Sequence, residues 1–269
     1  CPLPLGEKAM MLLAVESATD LVGAALLRAD GGVAERSHLG GRAHAELLAP
    51  AIEAVCALSG CVLADVDSLA VDIGPGLFTG LRVGVATAKA LGQSLGFDVL
   101  GVTSLDVLAA AALELAGPER AARVVAVVDA RRGEVFAASY AFGSVDGAGP
   151  VDPADVVDDR AEALTPGALV AWLDDLATDG PVLVVGDGAV RYLELLAPRA
   201  GVDCGLAGEV SAPSPTTLAR LAARRLASGV VPVAPGDLIP DYRRHADARI
   251  NWEERAPQRA PSESAPDGS

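Results

Sequence analysis

The residues of this chain that could do chemistry gather around one stretch, Asp72-Ile73-Gly74-Pro75-Gly76-Leu77-Phe78-Thr79-Gly80-Leu81-Arg82-Val83-Gly84. A buried strand runs into a glycine turn and then a helical pattern. Such a turn can present backbone N–H groups to an anion. A Walker A loop needs Lys where Leu81 follows Gly80, and a dinucleotide fingerprint needs Gly where Thr79 stands, so both nucleotide loops are rejected. The plainer reading is that Gly74 and Gly76 permit a tight turn and Thr79 caps the following helix. Lys89 falls two turns into that helix and reads as a solvated or ion-paired side chain rather than a phosphate ligand.

Other chemistries lack their parts. His44 stands two residues before Glu46, and residues two apart on a helix point to different faces, so the pair reads as a solvated helix start. A peptidase would need a nucleophile with its base or a His-Glu-x-x-His, and neither occurs. Cys1, Cys56, Cys61 and Cys204 form no C-x-x-C pair, and with only 3 histidines no zinc spacing exists. A phosphotransferase would need an acid closing the first strand and a second phosphate loop. Glu16 and the turn Gly186-Asp187-Gly188 could serve, but an Asp-x-Gly-Thr in the second half is missing.

The elements that must carry these residues follow from periodicity. Strands are predicted at Met11 to Glu16, Leu21 to Arg28 and Val33 to His38, then a helix at His44 to Ser59 with Leu48, Ile52 and Val55 on one face. A strand at Leu69 to Ile73, a helix at Leu81 to Leu95, a strand at Val99 to Val102 and a helix at Ser104 to Leu115 complete the order β-β-β-α-β-α-β-α. After Gly117-Pro118 a strand pair, Val124 to Asp129 and Val135 to Phe142, turns around Arg131-Arg132-Gly133. A Pro/Asp/Gly-rich insertion follows from Gly143 to Arg160, then a helix around Ala168 to Ala177, the strand Val182 to Val185 and a helix from Pro215 to Ser228. Element order alone argues for two related halves. Residues 1–10 read as an extension, 11–117 as the first half, 118–252 as the second and 253–269 as a disordered tail of Pro, Ser, Ala and charge.

Composition bounds the rest. With 269 residues, 51% of them apolar but only 3% aromatic, the core must be built from small aliphatic side chains, as buried parallel strands under close-packed helices allow. A net charge of −15 opposes unaided binding to nucleic acid. No apolar run is long enough for a membrane span, and a cytoplasmic location is expected. Along the second helix Gly80, Gly84, Ala88 and Gly92 recur every fourth residue, leaving one face nearly bare. Its own sheet or a partner subunit could fill that face, and the spacing leaves both open.

Gly74 to Arg82 resembles the Gly-Pro-Gly, Phe-Thr-Gly-Leu-Arg signature of the TsaB (YeaZ) family. Leu12 to Ser17, His44 to Pro50, Val102 to Leu105 and Asp129 to Val135 resemble further family segments in family order, and Gly186-Asp187-Gly188 and Asp241-Tyr242-Arg243 resemble later landmarks. Leu77 stands where the family commonly has Ser, Glu16 where it has Asp, and Phe136 where it has Tyr. The resemblance implies an α/β chain of actin-like ATPase (ASKHA) fold with two ribonuclease-H-like halves, shared with a catalytic paralogue, TsaD. That paralogue holds a metal through paired histidines after the strand matching Val99 to Val102, and here the stretch Thr103 to Leu108 has none. The implied role is that of a non-catalytic subunit for threonylcarbamoylation of tRNA, binding TsaD with TsaE in the assembly and reaching tRNA only through that complex. No resident cofactor is implied, ATP being admitted only in the complex, and a homodimer of the isolated chain stays open. Gly74, Pro75, Gly76, Phe78, Thr79, Gly80 and Arg82 form the motif turn. Leu48, Ile52 and Val55 are the expected contact with TsaD, and Gly84 and Ala88 its support. An actin-like small-molecule kinase and a stand-alone regulatory module are the alternative readings.

Overall fold

The computed structural model describes residues 10–39, 43–116, 123–141 and 156–243. Residues 1–9 of the expected N-terminal extension, the Gly117-Pro118 boundary, most of the Gly143 to Arg160 insertion and the tail from 253 lie outside them. Three antiparallel strands open the fold, β1 (Met11–Glu16), β2 (Leu21–Arg28) and β3 (Val33–Leu39). Then come α1 (His44–Ser59), β4 (Ser68–Asp72), α2 (Phe78–Leu95), β5 (Val99–Val102) and α3 (Ser104–Ala116). β4 joins β1 in parallel and β5 joins β4, which gives the sheet order β3-β2-β1-β4-β5.

The second half repeats this plan. It runs β6 (Arg123–Arg131), β7 (Glu134–Ala141), β8 (Val156–Leu164), α4 (Pro166–Leu176), β9 (Val182–Val185), α5 (Asp187–Arg191), α6 (Leu193–Leu196), β10 (Val202–Asp203) and α7 (Pro215–Ala227). Its order β10-β9-β6-β7-β8 is the first sheet's order read from the other edge. Each half is thus a five-stranded ribonuclease-H-like sheet, and the two make an actin-like ATPase fold. β8 falls partly in the stretch expected to be an insertion. It is an edge strand paired only with β7, so Val-Val-Asp-Asp-Arg-Ala-Glu-Ala-Leu needs no continuous apolar run to hold its place. β10 and the short helices α5 and α6 carry too few residues to show a period.

Each sheet is covered on both faces, and the helices are exchanged between halves. α1 and α2 cover one face of the first sheet, where Leu48, Ile52 and Val55 meet Leu13, Val15 and Leu26. The opposite face, with Leu12, Ala14 and Leu100, is covered by Leu218 and Leu221 of α7. α7 lies within the stretch assigned by sequence to the second half, so that boundary does not divide the helices. α3 stands between the sheets, sending Val107 and Ala110 to the first and Leu105, Leu108 and Ala112 to the second. A helix buried on nearly every side must be apolar all round, which is why Leu-Asp-Val-Leu-Ala-Ala-Ala-Ala lacks a polar stripe. Its buried acid, Asp106, accepts from the Tyr140 hydroxyl at 2.9 Å and from the Arg225 guanidinium at 2.9 Å, tying α3 to β7 and α7. Among the described residues no helix is long and apolar enough to cross a membrane.

Leu218 is fully buried in the exchanged contact. Leu218→Ala should therefore cost about 2–5 kcal/mol in urea unfolding. Independence of the first half from α7 would instead leave a cost below about 1 kcal/mol.

Candidate functional site

The parallel register that pairs Val15 with Val71 sets Glu16 and Asp72 side by side where β1 and β4 end. Both side chains are out of solvent, Glu16 at 0% and Asp72 at 1% exposure. Each serves the loop that follows it. Glu16 Oε1 accepts from the Ala18 N–H at 2.7 Å, while Asp72 Oδ1 accepts from the Gly74 N–H and the Ser104 hydroxyl, both at 2.7 Å. Burial disfavours the charged forms and, with Asp72 adjacent, raises the Glu16 carboxyl well above its ordinary range. Burial likewise pushes Asp72 up to about 6, against the lowering effect of its hydrogen bonds.

The glycine motif packs onto this corner. Gly74 has the left-handed φ of 100° that the turn demands, and its carbonyl accepts from the Ser104 N–H at 2.8 Å. The Leu77 N–H, which an anion cradle would aim at a ligand, donates to the Ala18 carbonyl at 2.6 Å. A methyl group at Gly76 would overlap the same carbonyl, and one at Gly80 would overlap that of Ser17. The Ser17 hydroxyl donates to the Gly80 carbonyl at 2.8 Å, and His44 Nε2 lies 2.8 Å from the Thr19 carbonyl with its ring against Gly80. The β1–β2 turn therefore fills the hollow of the motif. Thr79 is not the cap expected of it: α2 begins at Phe78, its N-cap is Leu77, and no side chain caps it.

The bare stripe of α2 meets its own chain, with Gly84 against Ser17 and Val71, and Gly92 against Pro235 and Val99. Gly84 and Ala88 are buried there, and Leu48, Ile52 and Val55 lie in the core beneath β1 and β2, so none of the five is on the surface. The alternation that suggested a contact face is the face turned to the sheet. Motif residues that do face outward are Phe78, at 50% exposure, Thr79 and Arg82. The Arg82 guanidinium sits 3.8 Å over the Phe78 ring, and the Tyr242 ring lies 5.5 Å away at 45°.

The second half also carries acids beside its central strands, Asp129 near the end of β6 and Asp187 after β9. Asp129 Oδ2 accepts from Arg131 at 3.1 Å and Arg191 at 2.8 Å, and Asp187 Oδ1 accepts from the Asp129 N–H at 2.8 Å. Burial pushes the Asp187 carboxyl up to about 6. Arg131 also reaches Asp20 of the β1–β2 turn at 3.1 Å, joining the two halves across their cleft. A cavity of about 120 Å³ lies at this junction beside Thr19, Asp20, Asp187 and Ser211, well below the volume of an ordinary small-molecule site. Among the described residues no three His, Cys, Asp or Glu side chains converge so as to hold a metal ion. Burial pushes the Cys56 and Cys204 thiols up to about 11, which leaves them un-ionised and inert. The roles of Asp72 and Asp129 were missed in sequence, although an acid closing an apolar strand was the available signal in both.

Gly80→Ala should cost several kcal/mol in chemical denaturation, because the Ser17 carbonyl has nowhere to retreat. Leu77→Ser should be neutral or stabilising by up to about 1 kcal/mol, since it supplies the missing cap. Equal tolerance of both substitutions would show that the motif is not a packing joint.

The family model of TsaD, tRNA N6-adenosine threonylcarbamoyltransferase, matches residues 21–194. The chain is 31% identical over 248 residues to the tRNA threonylcarbamoyladenosine biosynthesis protein TsaB of Bacillus subtilis, covering 90% of this chain and 98% of that one. It is 35% identical over 246 residues to an uncharacterized protein of Mycobacterium tuberculosis, covering 88% and 93%. A crystal structure from Pseudomonas aeruginosa, of an uncharacterized protein with similarity to peptidase YeaZ, superposes with a TM-score of 0.72 at 28% identity, covering 87% of this chain and 100% of that one. With the motif, both sheets and near full-length similarity in agreement, the chain belongs to the TsaB (YeaZ) family.

Proposed function

We propose that this chain acts in tRNA threonylcarbamoyladenosine biosynthesis as a non-catalytic subunit that binds and activates TsaD, with TsaE joining the assembly. The observation that carries the reading is the filled corner: the backbone of Ser17 and Ala18 occupies the hollow of the glycine motif, and both strand-end acids are closed beneath it. A fold that spends its would-be ligand loop on its own packing is suited to presenting a surface. In this reading ATP enters only with the complex, and tRNA is reached through a partner, consistent with the net charge of −15.

The partner surface follows from the correction above. With Leu48, Ile52 and Val55 turned inward, the outward row of α1 carries Pro50, Ala54, Ala57 and Leu58, the last at 68% exposure. Together with Arg36, His38 and Leu47 these residues line an open groove of about 690 Å³ between α1 and β3. Small side chains let a partner helix approach closely, and the exposed Leu58 supplies apolar area. TsaD is the proposed occupant, because the family resemblance assigns pairing to first-half helices.

Leu58→Arg should leave the melting temperature within a few degrees of the parent and weaken co-purification with TsaD by at least about tenfold. It should also fail to restore the modified adenosine in cells lacking their own copy. Ile52→Arg, by contrast, should unfold the chain, since it buries a charge in the first-half core. Full TsaD binding by folded Leu58→Arg would move the interface elsewhere, and sustained phosphate transfer from ATP by the purified chain would replace the subunit reading with the kinase one.

A further inference from the structure

Glu16 and Asp72 have one oxygen each in their loop anchors and one left over. The second oxygens, Glu16 Oε2 and Asp72 Oδ2, are buried and receive no hydrogen bond from any described backbone or hydroxyl donor. The parallel register of β1 and β4 nevertheless sets these two buried side chains next to each other at the strand ends. Two ionised carboxylates so placed could not satisfy each other's spare oxygens, because neither carries a hydrogen. We propose that Glu16 and Asp72 hold a single proton between them at neutral pH, and that this buried proton pins the β1–β2 turn to the Gly74 turn and to the start of α3. It is a structural ligand of the corner, supplied by water.

The surroundings favour that state. Glu16 ends β1 and Asp72 ends β4. From α3, Asp106 adds a negative field on Asp72 and is itself held by Tyr140 and Arg225. From α1, His44 is engaged with the Thr19 carbonyl. α2 turns Gly80 and Gly84 to the corner and keeps Arg82 outside. At the outer end of the β1–β2 turn, Asp20 is paired with Arg131. No cation among these groups lies against the pair, so two adjacent buried negative charges would be uncompensated, whereas one proton removes a charge and satisfies both spare oxygens.

The pH dependence has a definite sign. A carboxyl held above its unfolded value contributes stability that is complete below the ordinary carboxylate range and is lost as pH rises towards the raised value. Stability from this corner therefore falls with alkalinity, opposite to the behaviour of an ion-paired acid. Glutamine at position 16 can accept from the Ala18 N–H and donate to Asp72 without titrating.

The test is urea unfolding of the full chain and of Glu16→Gln between about pH 6 and pH 9. The folding equilibrium constant of the parent, taken relative to the variant, should decline by up to about tenfold per pH unit, with the variant the more stable at the alkaline end. Parallel profiles would overturn the proposal. Should Glu16→Gln fail to fold, infrared spectroscopy of the parent at about pH 8, where Asp187 is ionised, decides the matter. A carbonyl band of a protonated carboxylic acid, shifted by 13C labelling of glutamate and aspartate carboxyls, is expected. Its absence would sink the idea.

Discussion

Two carboxyl groups taken out of water at the ends of β1 and β4 set the terms for the rest of the structure. A buried acid must be given donors or it is expelled, because the desolvation cost exceeds what any nearby packing returns. Here the donors are the Ala18 and Gly74 N–H groups and the Ser104 hydroxyl, so satisfying the acids also fixes the two loops and the first turn of α3. Once those loops are fixed, the Ser17 and Ala18 carbonyls approach the motif too closely for any side chain at Gly76 or Gly80. The glycines answer the acids, at one remove.

That corner sits where an actin-like fold brings its halves together, and the same economy of polar groups recurs there. Asp106, the buried acid of α3, is held by one group from the second sheet and one from α7. Arg131 spans Asp129 and Asp20. The backbone at Arg131 and Arg132 is left-handed, with φ of 63° and 54°, a conformation usually left to Asn or Gly, so the hairpin bears some strain in setting Arg131 against Asp129 and Asp20. Exchange of α3 and α7 between the halves makes each sheet depend on a helix from the other segment.

A cleft tied in this way has little room, and the exposed features of the chain lie away from it. The outward row of α1 and the stack of Arg82, Phe78 and Tyr242 are surface features of elements whose inner faces are fully committed to the core.

Much of this was legible in the chain itself. Period-two and 3.6-residue patterns located β1, β2, α1, β5 and α3 almost to the residue, because apolar faces must be buried whatever the tertiary arrangement. The motif Gly74 to Arg82, read with its companion segments, indicated the family, and the glycine spacing indicated a tight turn. Other features were beyond local pattern. β8 is an edge strand held by one neighbour, and its charges erase the alternation that would reveal it. The face of Leu48, Ile52 and Val55 is apolar whether a sheet or a partner covers it, and only the placement of β1 and β2 shows which. The stripe Gly80 to Gly92 says that something comes close, while the fold brings Ser17, Val71 and Pro235 there. Glu16 and Asp72 stand 56 residues apart, a separation no periodicity can bridge. Sequence determines which groups must be buried and which turns need glycine, because these are local costs; tertiary structure alone decides which buried groups meet, because strand order and register are set by the whole core at once.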